Sequence, residues 1–250
     1  MVPPRSSTMK RFRYVASCNF TLWYPELSLR IQDYLEACPD MEIIRCCTER
    51  YKVKEFEEKM PASVAQRWKD TVHYTAFDDE TAMVSICQNC TSVFQESQSH
   101  VPVLSLWEYL LDFAPDFPFP DLGGVRMTLQ DCWRQHDNAA QQEAVRALLR
   151  KMNVEVVELP ENRAGTRYCG VTTLRPTPAR NLVMAPHRYV EQAAGFFEPH
   201  SPEAQRSYME EHCKQITTDA VVAYCHYCAQ GFQLVGQKHY HLAALLFGQE

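Results

Sequence analysis

Two stretches of the chain, AMVSICQNC at residues 82–90 and AVVAYCHYC at 220–228, are variants of one theme. Each is a short apolar run, suited to a buried strand, that leads directly into Cys-x-x-Cys. Each is followed by a leucine-rich helical pattern, LSLWEYLL at 104–111 and HLAALLF at 241–247. Ahead of each lie further cysteines in the same order: Cys18 then Cys46-Cys47 in the first half, and Cys132 then Cys169 in the second. A tandem duplication whose shared landmarks are thiols implies two related sites for soft metal ions.

Working outward from these runs, short β-rich segments recur, each closing on a cysteine: RYVASC (13–18), MEIIRCC (41–47), AMVSIC (82–87), VRMTLQDC (125–132), AVVAYC (220–225) and, as a sixth, TRYC (166–169). VEVVEL (154–159) also reads as a strand. Helical periodicity intervenes. Leu27, Ile31, Tyr34 and Leu35 share one face of 25–37, with Pro25 in the first turn. Ala140, Ala144, Val145, Leu148, Leu149 and Met152 do the same in 138–152, capped by Asp137 or Asn138. Strands alternating with helices predict an α/β fold: two tandem cysteine-rich repeats, each a small, mainly parallel sheet flanked by helices. Sites in such sheets form beyond the carboxyl ends of the strands, so cysteines distant in sequence converge along one edge.

The halves divide near 114–123, in the proline- and glycine-rich run APDFPFPDLGG. The expected organisation is a leader at 1–12, a first repeat at 13–118 and a second at 119–250. Met9 is an alternative start. The irregular stretch LRPTPARNLVMAPHRYVEQAAGFFEPHSP (174–202) lengthens the second repeat between Cys169 and Cys225. It reads as a lid, a partner contact or a plain surface insertion.

A chain of 250 residues with 46% hydrophobic and 22% charged content is ordinary for a globular protein. A net charge of −6 and the single short basic run Lys10-Arg11-Phe12-Arg13 argue against nucleic acid as a partner. No apolar run approaches the roughly 20 residues needed to cross a bilayer. The N-terminal stretch lacks the apolar centre of a secretory signal, so the expected location is cytoplasmic. In that reducing compartment 11 cysteines read as metal ligands or redox groups rather than as a disulfide framework, which an odd count also disfavours. The 8 glycines form neither a dinucleotide fingerprint nor a phosphate loop.

Cysteine, then Cys-Cys, then Cys-x-x-Cys, given twice, resembles the cysteine-rich CCG domain known from the B subunit of heterodisulfide reductase and from iron–sulfur subunits of glycolate and lactate oxidases. The resemblance spans about 13–247. In the first half Cys18, Cys46, Cys47, Cys87 and Cys90 make a full set, and SCNFTLWYPELSLRIQDYL resembles the opening of the domain. In the second, QDCWRQHD stands in the place of an Asp-Pro-Cys-His segment and supplies Cys132. ENRAGTRYCG stands in the place of Cys-Cys-Gly, with Tyr168 where the first paired cysteine belongs, leaving Cys169 and Gly170. CHYC supplies Cys225 and Cys228.

The resemblance implies an iron–sulfur electron-transfer subunit that passes electrons to a disulfide or related small acceptor. Its implied cofactors are [4Fe–4S] clusters, non-cubane at the first site. With no ferredoxin-type cysteine run and no flavin or nicotinamide site, it implies an electron-donating partner, ferredoxin-like or a flavoprotein. At the second site, four thiolates suit a cubane, a more labile cluster or zinc. The loss at Tyr168 also admits a reading from another class, a non-catalytic scaffold or regulatory module with structural zinc. His226, inside the second Cys-x-x-Cys, and His136, His239 and His241 nearby are the histidines a zinc site would draw on. A thioredoxin-like dithiol is a further reading of either Cys-x-x-Cys. Cys38 and Cys213 fall outside the pattern and read as structural.

Overall fold

The expected alternation folds into two four-stranded sheets, parallel throughout, with strand order β2-β1-β3-β4 in the first and β6-β5-β7-β8 in the second. The computed structural model describes residues 11–170 and 172–248. The first sheet comprises β1 (Arg11–Val15), β2 (Met41–Ile44), β3 (Thr81–Ser85) and β4 (Val103–Ser105). The second comprises β5 (Arg126–Gln130), β6 (Glu155–Glu158), β7 (Val221–Ala223) and β8 (His239–His241). In chain order the two sheets follow one plan, as the duplicated thiol landmarks predict. β3 and β7, inner strands of their sheets, are buried along their whole lengths, which is why they lack the polar alternation of a one-sided strand.

Helices cover the sheets. α1 (Cys18–Trp23) and α2 (Pro25–Glu36) follow β1; α3 (Val53–Lys59) and α4 (Ala62–Asp70) connect β2 to β3. α5 (Gln88–Ser97) follows β3, and α6 (Leu106–Asp112) follows β4. In the second half α7 (Ala139–Lys151) follows β5, α8 (Ala179–Met184) and α9 (Pro202–Cys213) connect β6 to β7, α10 (His226–Leu234) follows β7, and α11 (Leu242–Phe247) follows β8. Leu27, Ile31 and Leu35 are buried on α2, and Ala144, Val145, Leu148 and Leu149 on α7. Asn138 caps α7, its side chain accepting from Gln141 N at 3.1 Å.

The halves share one apolar core, which takes in Tyr14, Ile31 and Val84 from the first and Leu129, Leu148 and Val222 from the second. The boundary run is part of that core. Phe117 meets the rings of Tyr34 and Phe247 edge-on, with centroids 5.0 and 5.2 Å away. Among the described residues no helix is long and apolar enough to cross a membrane.

Several expectations require correction. The strands stop before the cysteines: Cys18 opens α1, Cys46 and Cys47 lie in the loop after β2, and Cys87 and Cys225 precede α5 and α10. TRYC at 166–169 is irregular, after a 3₁₀ turn at Arg163–Gly165. β4 and β8, three residues each, were hidden in the approach to leucine-rich helices, where so short a run has no readable period. The expected leader at 1–12 overlaps β1 at Arg11 and Phe12, and 1–10 lie outside the described residues.

Candidate metal centres

Each Cys-x-x-Cys straddles the start of a helix. Cys87 is the N-cap of α5 with Cys90 in its first turn, and Cys225 and Cys228 repeat this on α10. That spacing sets both cysteines at the helix end, where backbone N–H groups lack intrahelical partners. Cys18, at the start of α1, and Cys46, Cys47, Cys132 and Cys169, in the segments after β2, β5 and β6, supply the rest of the two sets. All eleven are free.

The second set closes tightly. The sulfurs of Cys132, Cys169, Cys225 and Cys228 all lie within 4.8 Å of one another and are buried. Cys132 Sγ and Cys169 Sγ are 3.8 Å apart. A tetrahedral ion with metal–sulfur bonds of about 2.3 Å needs sulfurs about 3.8 Å apart, so this donor set fits a metal ion. Among the described residues no other group of three or more Cys, His, Asp or Glu ligand atoms closes so tightly.

The backbone around this set is held by a polar network that sequence reading passed over. Asp131, one residue before Cys132, receives both terminal nitrogens of Arg146 at 3.2 and 2.7 Å, the Tyr224 hydroxyl at 2.9 Å and Arg163 N at 2.7 Å. The Tyr224 hydroxyl in turn accepts from Cys132 N at 3.3 Å. Gly170, at φ +57°, lies against the second Cys-x-x-Cys so closely that a Cβ there would fall 2.0 Å from Tyr227 O.

Tyr168 does not act as a substitute ligand. Its hydroxyl donates to Cys228 O at 3.2 Å and lies 3.4 Å from Met209 Sδ, while its ring stacks on His212 with centroids 4.0 Å apart. Arg134, fully buried, donates from Nε to Cys169 Sγ at 3.1 Å. Burial opposes ionisation of Cys169, but hydrogen bonds from Cys132, Cys225 and Cys228 together with the Arg134 charge hold its thiol well below the ordinary range. Burial pushes Cys132 and Cys228 the other way.

The first set is spread around a space instead. Cys18, Cys46, Cys87 and Cys90 line a cavity of about 40 Å³ together with Ser17, Asn19 and Tyr51. Cys47 lies within hydrogen-bonding reach of Cys46 and Cys90, and those bonds, with the charge of Arg180, hold its thiol well below the ordinary range. Cys87 is brought down to about 7, chiefly by its bond from Cys90, whereas burial pushes Cys18 up to about 12. The far wall of the cavity comes from the second half: Pro178, Arg180 and Asn181 of the 174–202 stretch, and Tyr227 from inside the second Cys-x-x-Cys. The Arg180 guanidinium lies 4.0 Å over the ring of Tyr51. The first cavity is therefore lined by two arginines, Arg45 from the first half and Arg180 from the second, while the second set meets Arg134.

None of the histidines joins the four-sulfur group. His226 is buried, packs on Tyr227 at 4.1 Å between centroids, and is kept neutral by burial, with a pKa of about 3. His136 Nδ1 sits 2.8 Å from Trp133 O, His239 Nδ1 sits 2.8 Å from Gln237 O, and His241 Nδ1 accepts from Ala243 N. Cys38 donates to Tyr34 O at 3.5 Å, and Cys213 is half-buried; both lie outside the two sets.

No protein-family model matches the chain, and no curated protein matches it. Among solved structures it is similar to glutamate racemase isoform RacE1 from Bacillus anthracis, at 11% identity over 96% of this chain and 79% of that one, with a TM-score of 0.31. Glutamate racemase from Campylobacter jejuni subsp. jejuni is similar at 13% identity over 95% of this chain and 82% of that one, also with a TM-score of 0.31. Likenesses this remote say nothing about activity here.

Proposed function

We propose that the chain is a thiolate-metal redox subunit, similar in kind to the B subunit of heterodisulfide reductase, with two unlike sites. The observation that carries this reading is the set of five free thiols gathered at the first cavity, beside a second set of four spaced for one ion. The first site, Cys18, Cys46, Cys47, Cys87 and Cys90, would hold an iron–sulfur cluster. The second, Cys132, Cys169, Cys225 and Cys228, would hold a single tetrahedral ion, zinc in the first instance. A four-iron cubane binds each thiolate through a different iron and so needs its sulfurs further apart than 3.8 Å.

When bound, an iron–sulfur cluster supplies one-electron transfer. The protein's own part is to hold the buried thiols around the cavity and to present positive charge beside them through Arg180. Asn19 donates to the Tyr227 hydroxyl at 2.7 Å, tying the first half to the second beside Cys18. In the net reaction a disulfide takes up two electrons and two protons, and its S–S bond is replaced by two S–H bonds. The electrons would come from a ferredoxin-like or flavoprotein partner. Eleven free thiols suit the reducing cytoplasm.

Anaerobic purification with iron, sulfide and zinc analysis tests this. The expected result is roughly four irons and four sulfides per chain with one zinc, the iron and sulfide lost in Cys47→Ala and the zinc retained. Zinc at both sites without sulfide would sink the redox reading and leave the scaffold with structural zinc.

A further inference from the structure

A chain of side-chain hydrogen bonds runs from the second thiol set to the first. Arg134 donates from Nε to Cys169 Sγ at 3.1 Å and from a terminal nitrogen to Asn89 Oδ1 at 2.8 Å. Asn89 lies between Cys87 and Cys90. Its side-chain oxygen also takes Asn181 Nδ2 at 2.6 Å and the Tyr189 hydroxyl at 2.8 Å. The side-chain oxygen of Asn181 in turn accepts from Arg180 Nε and Nη2 at 3.4 and 3.3 Å. Arg180 then lines the first cavity.

Everything beyond Asn89 in this chain belongs to 174–202, the stretch that distinguishes the second half from the first. It lies across the molecule as a strap. The backbone of His187 and Arg188 donates to Glu96 of α5 at 2.8 and 2.9 Å, and Arg188 pairs with Asp137 at 2.6 Å. Its inner attachment is a buried cation, Arg134, that has no carboxylate within ion-pair distance among the described residues. Arg134 is surrounded by the rings of Tyr189, Phe197 and Tyr227 at 5.3, 5.2 and 5.0 Å, and the acceptor of its Nε is Cys169 Sγ at 3.1 Å. A metal ion held by the four sulfurs would fix the place of that acceptor, and with it the guanidinium that reaches Asn89.

We propose that Arg134 is a positioning residue through which metal bound at the second site fixes the strap and so aims Arg180 at the first cavity. The inference rests on metal at the second site and on nothing about the first.

Hydrogen exchange of the full chain, titrated with one equivalent of cobalt(II) as the probe, tests it. In the wild type, cobalt should slow exchange across 179–192 by about tenfold or more, and chelation should reverse this, while α7 stays unchanged. Arg134→Met should leave the strap fast with cobalt bound. It should also move the thiolate-to-cobalt charge-transfer band to lower energy, because an N–H bond to sulfur has been lost. Asn181→Leu, which touches no thiol, should free the strap and leave that band in place. A strap as protected in Asn181→Leu as in the wild type, or indifferent to cobalt in the wild type, overturns the inference. Failure of cobalt to bind at all would instead remove the metal reading of the second site, and this inference with it.

Discussion

Asp131 and Arg146 meet in a fully buried ion pair, Oδ2 to Nη2 at 2.7 Å, one residue before Cys132. Arg146 is also paired with Glu158 at 2.7 Å, so β5, β6 and α7 are tied together at the edge where the second thiols gather. Loss of Asp131 would leave Arg146 with Glu158 as its remaining carboxylate and strip the Tyr224 hydroxyl and Arg163 N of their acceptor, which costs more than the pair contributes.

Asp131→Ala should therefore destabilise the protein by about 3–5 kcal/mol. Denaturant unfolding measures this directly. The same variant should bind second-site metal more weakly, because the Tyr224 hydroxyl that accepts from Cys132 N loses its own acceptor. Unchanged stability would mean that the pair does not organise this edge.

Tyr168 separates a packing role from a ligand role. Tyr168→Phe should cost about 1 kcal/mol, the worth of its bond to Cys228 O, and leave metal content untouched. Tyr168→Cys should cost about 3–5 kcal/mol by emptying the space between His212 and Phe232, and should add no ligand. A change in bound metal in Tyr168→Cys would contradict this assignment.

Gly170→Ala should release second-site metal. The new Cβ would fall 2.0 Å from Tyr227 O at a backbone angle of +57° that side chains rarely adopt, so the second Cys-x-x-Cys must shift. Zinc analysis after gel filtration reads the loss.

Acid should destabilise the fold through His212. Burial lowers its pKa to about 4, and its neutral ring is satisfied by Gln130 Oε1 at 2.6 Å and by Gln215 Nε2 at 3.0 Å. Because the folded value lies below the unfolded value of about 6.5, the unfolded chain binds the proton first. Stability is thus full above about pH 6.5 and falls as pH drops toward 4. Thermal unfolding between these limits should show the slope, and His212→Gln should flatten it. An equal slope in the variant would assign the acid sensitivity elsewhere.

The repeat and the parallel sheets were legible because β3 and β7 are buried throughout and carry an apolar run straight into a helix that starts on Cys-x-x-Cys. The landmark thiols could be enumerated for the same reason. The inequality of the two sites was only half legible. Tyr168 marks a missing thiol, but nothing in the local pattern reveals that Arg134 supplies an N–H to Cys169, since that contact depends on how the 3₁₀ turn Trp133–Gln135 after Cys132 folds back. Arg180 and Asn181 were invisible as site residues, because a long irregular stretch carries no period that says where it lands. Nothing local distinguishes Asp131 from any acidic residue, because its partner Arg146 lies 15 positions later.

Anomalous diffraction at the iron and zinc edges, from crystals grown without oxygen, tests the central claim most directly. Iron is expected within the ring of Cys18, Cys46, Cys47, Cys87 and Cys90, and one zinc at the centre of Cys132, Cys169, Cys225 and Cys228. Zinc at both positions, or a multi-iron cluster within the second set, would contradict it.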